Sequence, residues 1–157
     1  EQAKQGIADY RAGRAAAGLD PKGGKIALML KTYTGDTMDG ARKDYSGPCT
    51  WYYRTIAKYV APPPGQPLVK SYELYGGSRS LAETLDFNRL VNGPLMVVGD
   101  VDHCVEKLIK VIKEYGFDEM LCWTRIGGLE NRKVLRSMEL MSGEVMPRVR
   151  KEFKMAA

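Results

Sequence analysis

His103 is the only histidine in the chain, and Cys49, Cys104 and Cys122 are its only thiols. Nucleophilic or metal chemistry of the usual kind would have to run through these four side chains. Three widely spaced cysteines fit neither a disulfide framework nor a CxxC zinc site, and they point to a reducing cytoplasm. One histidine excludes multi-histidine metal centres and leaves any catalytic triad dependent on a single residue. Cys104 adjoins it, but sequence neighbours on a helix face different ways, so the pair reads as structural and no metal site is expected. Gly127-Gly128 offers another kind of chemistry, since backbone amides at a glycine pair can turn toward a phosphate. A plain left-handed turn is the competing reading.

The elements that would position these groups follow from apolar periodicity and from breakers. Residues 1–18 read as a helix with Ile7, Tyr10 and the alanines 15–17 on its apolar side, ended by Gly18 and Pro21. Lys25 to Gly35, KIALMLKTYTG, is a compact apolar run whose length and bounds favour a strand buried on both faces. Asp36 or Thr37 caps a following helix, TMDGARKDY. Gly47-Pro48 then opens a separate helix with Trp51, Ile56 and Tyr59 as candidates for burial. APPPGQP, residues 61–67, is a stiff break that opens a weakly patterned stretch to about Gly77. Helix returns from Ser80 to Val91, and a short apolar run spans Leu95 to Val98. Asp100 caps a helix in which Val101, Val105, Leu108, Ile109 and Ile112 make one stripe. Gly116 closes it, and FDEMLCW reads as a second buried strand. Residues 130–141 and 142–154 form the last helices, with Pro147 tolerable only near a first turn.

Composition narrows the function classes. The chain has 157 residues, 44% hydrophobic and 27% charged, which suits one globular domain with a real core. No apolar run approaches the length of a membrane span, and EQAKQGIADY has no signal-peptide pattern. The net charge of +5 comes from 24 basic residues interleaved with 19 acids. That interleaving describes solvated helix faces, not a nucleic-acid surface.

Two strong strands separated by helices make an α/β chain with parallel crossovers. Several segments together resemble the bacterial luciferase-like flavin-dependent monooxygenases. ADYRAGRAAAGLDP looks like the helix before the family's penultimate strand, and KIALMLKTYTGDTMDGARKD like that strand with its helix start. VVGDVDHCVEKL resembles the family's helix entry, although Asp100-Val101-Asp102 replaces the usual Pro-Glu. GFDEMLCW is similar to the last barrel strand, and RSMELMSGEVMPRV to the closing helix. The resemblance implies a TIM-type (β/α)8 barrel, of which residues 1–157 would be an incomplete C-terminal portion holding strands seven and eight. It places a lid or insertion at about 47–77. It further implies reduced flavin, FMN or a relative, with dioxygen, a flavin reductase as partner, and oxygenation of a small organic substrate. A truncated chain of this kind is expected to be inactive alone and not to hold flavin tightly.

Barrel enzymes work at the carboxyl ends of their strands. By the resemblance those ends make Trp123, Arg125, Gly127 and Gly128 candidates for cofactor contact, and Tyr33, Thr34, Tyr72 and Tyr75 for the substrate pocket. Trp123 can pack on a ring and Arg125 can meet an anion bidentately, although a buried strand end and a loop cation explain them equally. Catalytic residues would lie on strands outside this chain. A different class of function remains open, a stand-alone, non-catalytic α/β binding module. An open wall of parallel strands also leads to an expected homo-oligomer that buries Ile26, Leu28, Leu30, Met120 and Cys122 between chains or against rearranged helices.

Overall fold

A computed structural model describes residues 2–60, 66–67, 70 and 84–154. The elements run α1 (Gln2–Ala16), β1 (Ala27–Thr34), α2 (Met38–Val60), α3 (Phe87–Val91), β2 (Met96–Gly99), α4 (Val101–Tyr115), β3 (Glu119–Trp123), α5 (Asn131–Leu140), a π-helical turn (Met141–Val145) and α6 (Met146–Glu152). The three strands form one parallel sheet in the order β2-β1-β3. Lys31–Thr34 pair with Met96–Gly99 on one side, and Ala27–Lys31 pair with Glu119–Trp123 on the other. The short apolar run before Asp100 is therefore a third strand. The strands expected as seven and eight, β1 and β3, are paired neighbours, with β2 on the other side of β1.

Strand parity divides the core in two. Leu30 and Val97 point to a cluster with Val105, Leu108 and Val111 of α4 and Val145 and Val149 of the last helices. Tyr33, Met96 and Val98 point the other way, against Ala41, Tyr45 and Cys49 of α2. Helices thus cover both faces. Asp118 ties the entrance of the sheet, its carboxylate accepting from the Ile26 N–H at 2.8 Å. Further on, the Thr32 and Thr124 hydroxyls meet at 3.2 Å.

The expected caps are present. Thr37 Oγ1 accepts from the Gly40 N–H, Asp100 Oδ1 accepts from the His103 N–H, and Gly116 ends α4 at φ 59°. α4 buries Val105 and Leu108, the latter fully, and Val101, Ile109 and Ile112 in part, the expected stripe. α1 buries less than its pattern suggested: Ile7 packs against the α4 cluster, while Tyr10 and the alanines stay exposed.

Three expectations are corrected. The segment around Pro48 does not divide two helices, because α2 runs unbroken through it. Pro48 leaves the Asp44 carbonyl without its helical donor, but fully buried Tyr45 and Cys49 on either side hold the helix together. With one helix the phase changes, so Trp51, Ile56 and Tyr59 face outward (59%, 37% and 80% exposed) and Ala57 is buried instead. β1 is buried on both faces only in its carboxyl half, Met29 being 54% exposed, and β3 is an open edge with Leu121 equally exposed. Leu30 is fully buried within this chain, and Leu28 and Met120 pack against the α4 cluster, which is the alternative of burial against helices. The exposed apolar pair Met29 and Leu121 lies on the opposite face by parity.

The closing helix carries Pro147 in its first turn, as expected, after the wider π turn. Of the expected Ser80–Val91 helix, residues 80–83 lie outside the described residues, as does all of the APPPG segment, and the helix itself begins only at Phe87, where the Asp86 side chain caps it by accepting from the Asn88 N–H.

Candidate active site

In an open parallel sheet, ligand chemistry gathers where the strands end. β1 extends beyond β3, so its last residues need partners that no strand among the described residues supplies on that side. Helix α5 takes over. The Thr34 N–H donates to Ser137 Oγ at 2.8 Å, in the position a longer β3 would fill, and both residues are fully buried. The Thr34 hydroxyl donates to Cys104 Sγ at 3.5 Å. Burial pushes the Cys104 thiol up to about 11, so it is a packed thiol and not a nucleophile.

Between this strand end and α5 opens a cleft of about 800 Å³, lined by Tyr33, Thr34, Asp36, Asp44, Lys133 and Arg136 among others. Tyr33 stacks on Tyr45 with centroids 5.5 Å apart and donates its hydroxyl to Asp44 Oδ2 at 3.1 Å. Lys133 holds the other oxygen of Asp44 at 2.7 Å. Burial first, and the Asp44 carboxylate second, raise the Tyr33 phenol, while the hydrogen bond to Asp44 raises Lys133. The resulting Tyr33–Asp44–Lys133 chain is a fixed donor and acceptor array in the cleft wall. Arg136 meets Asp36 at 2.6 Å on the rim, and Arg132 lines the same cleft with no salt-bridge partner among the described residues.

Tyr33 and Thr34 therefore lie together in this cleft. Tyr72 and Tyr75 lie outside the described residues. Trp123 and Arg125 are elsewhere, lining a second groove between the end of β3 and Met138, Met141 and Ser142. Trp123 is already engaged: its Nε1–H donates to the Arg125 carbonyl at 2.8 Å, and the Tyr52 ring meets it edge-on at 5.1 Å. Lys31 Nζ sits 4.9 Å from the Trp123 ring centroid, 5.1 Å from Tyr53 and 5.9 Å from Tyr52, so three rings surround one ammonium. Gly127 and Gly128 form a left-handed turn at φ 54° and 81°. A Cβ on Gly127 would stand 1.9 Å from the Pro48 carbonyl oxygen, so this glycine lets the turn close onto α2.

Sequence reasoning missed Asp44, Lys133, Ser137 and Lys31. Asp44 and Lys133 are 89 positions apart, and each sits in a run that reads as solvated helix. Lys31 carried a signal, a lone cation inside an otherwise apolar strand. Among the described residues, no group of three or more His, Cys, Asp or Glu side chains is placed to hold a metal ion. None of the described helices is long and apolar enough to cross a membrane.

Comparison with known proteins adds the following. A family model described as luciferase-like monooxygenase matches residues 1–119. The crystal structure of monooxygenase RslO1 from Streptomyces bottropensis is similar, with a TM-score of 0.64 and 18% identity, over 94% of this chain. At that identity the likeness concerns fold alone. This chain spans 38% of the length of the RslO1 chain. No curated protein matches.

Proposed function

The chain belongs to the luciferase-like monooxygenase family, and from that premise we propose that it is one part of a flavin-dependent monooxygenase. The observation that carries this reading is the family match, joined to a parallel sheet whose β1 end opens into a cleft with a fixed hydroxyl, carboxylate and ammonium array. The complete enzyme would take reduced flavin, FMN or a relative, from a reductase and use dioxygen to oxygenate a small organic substrate.

The described residues fit such a cofactor in part. The cleft offers polar groups suited to the hydroxylated chain of a flavin. The face of Trp123 is occupied by Lys31. The ring would be held by further units of the complete enzyme, with the Trp123–Gly128 turn as a neighbouring wall. Reduced flavin supplies the electrons for oxygen activation. Tyr33, Asp44 and Lys133 orient the polar end of the ligand.

The test is equilibrium binding of FMN, followed by fluorescence quenching, to this chain and to a protein that joins it to the remaining units. Tight binding and reductase-fed oxygen consumption are expected only from the latter. A stoichiometric yellow complex that turns over with this chain alone would overturn the partial-enzyme reading. Absence of flavin binding by the joined protein would overturn the flavin reading.

A further inference from the structure

A second polar cluster lies apart from the cleft, beside the carboxyl end of β2. His103 and Lys107 stand one turn apart on α4, and Arg42 on α2 is near enough for its charge to act on both. The His103 ring packs against Gly99 so closely that a Cβ there would lie 2.7 Å from the ring. Lys107 is anchored by a hydrogen bond to the Val91 carbonyl at the end of α3. Two nitrogens in this cluster, Arg42 Nε and His103 Nε2, are shielded from solvent and have no hydrogen-bond partner among the described residues. Leaving such donors unpaired costs about 1–3 kcal/mol each, more when the group is charged, so native folds rarely do so without a reason.

The electrostatics agree with the geometry. Burial chiefly, then the positive charges of Lys107 and Arg42, hold the His103 imidazole below its ordinary value; Asp100 and Glu106 act weakly in the other direction. Lys107 is likewise lowered, by burial and then by Arg42 and Lys110. Asp100 already accepts the His103 backbone N–H as the α4 cap. The cluster thus holds solvent-shielded nitrogens in a positive field at the end of a parallel strand, and among the described residues no acceptor meets them.

We propose that Arg42, His103 and Lys107 form a binding site for an oxyanion of the phosphate class, either free phosphate or the phosphate group of a larger ligand. The Arg42 Nε–H and the His103 Nε2–H donate to its oxygens, and Lys107 contributes charge. The site stands independently of the flavin reading, because its donors belong to this chain and none lines the cleft.

His103 is the sole histidine, so its ring protons report on the site without assignment ambiguity. Inorganic phosphate is titrated into the 157-residue chain at constant ionic strength, with the His103 resonances followed by proton NMR. A saturable shift is expected, with the titration midpoint of His103 moving up by about one unit as an anion settles beside it. Arg42→Gln should weaken phosphate roughly tenfold, the loss of one charged hydrogen bond. Should that variant fail to fold by circular dichroism, Lys107→Gln supplies the same comparison. FMN and riboflavin then separate the sources. Displacement of phosphate by FMN but not by riboflavin identifies a nucleotide phosphate, and a phosphate response unaffected by FMN identifies the free anion; either result upholds the site. No saturable shift in the unmodified chain, or an undiminished one in the folded variant, overturns it.

Discussion

Gly127 and Gly128 are neighbours with the same backbone handedness, yet only one of them touches anything. Both lie in the left-handed region, at φ 54° and 81°. An alanine at either position meets the same intrinsic penalty, about 1–2 kcal/mol, reduced by about 0.4–1 kcal/mol because alanine restricts the unfolded chain. At Gly128 the account ends there, since the added methyl meets open space. At Gly127 the methyl would stand 1.9 Å from the Pro48 carbonyl oxygen and 2.6 Å from its carbon. Those atoms are helix backbone and cannot turn aside, so α2 and the turn must separate, at about 1–3 kcal/mol for such overpacking. Gly127→Ala should therefore destabilise the fold by about 1–3 kcal/mol more than Gly128→Ala. With a urea dependence of about 2 kcal/mol per molar, that is a difference of roughly 0.5–1.5 M in midpoint. Equal midpoints for the two variants would refute the packing of this turn against α2.

Two further outcomes follow from buried polar groups. Ser137→Ala removes the acceptor of the Thr34 N–H in a fully buried seam, and should lower unfolding free energy by about 1–3 kcal/mol; an unchanged urea midpoint would mean that β1 does not end against α5. His103 is held below its ordinary value in the fold, so below about pH 6.5 the unfolded chain binds the proton more readily. In phosphate-free buffer its contribution to stability is fully present above that pH and is lost as pH falls toward the folded value. The urea midpoint should drop between pH 7.5 and 5.5 by more in the native sequence than in His103→Gln, and equal drops would contradict the burial.

What the residues revealed and what they hid have the same origin, the range over which a pattern acts. α4 was legible to its ends because its stripe, its Asp100 cap and its Gly116 stop all lie within one segment. β1 was legible as a strand for the same reason. Whether its faces were covered was not, since an apolar run does not state whether a neighbouring strand exists, and Met29 and Leu121 turned out to be exposed. Four residues around Val97 were too short to announce a strand, and they become one only through register with Lys31–Thr34. Pro48 misled because the local rule against proline in a helix was overridden by Ile126 and Leu129, which share a cluster with Tyr45 and Cys49 from far along the chain. The Asp44–Lys133 pair obeys no spacing at all, being created by the fold.

The central place of β1 also sets an order of events at the ribosome. Both of its partners are made after it, and its contacts to β3 span 92 positions at Thr32 and Thr124. At synthesis rates of about 5–20 residues per second, the Ala-Leu-Met-Leu strand waits on the order of 3–12 s before β2 exists, and longer for β3. During that interval its backbone donors and acceptors are open on both sides, the condition under which strands pair with the wrong neighbour. Nascent chains halted before Met96 would carry that strand unprotected and should be a burden for chaperones, while chains released after Trp123 should not.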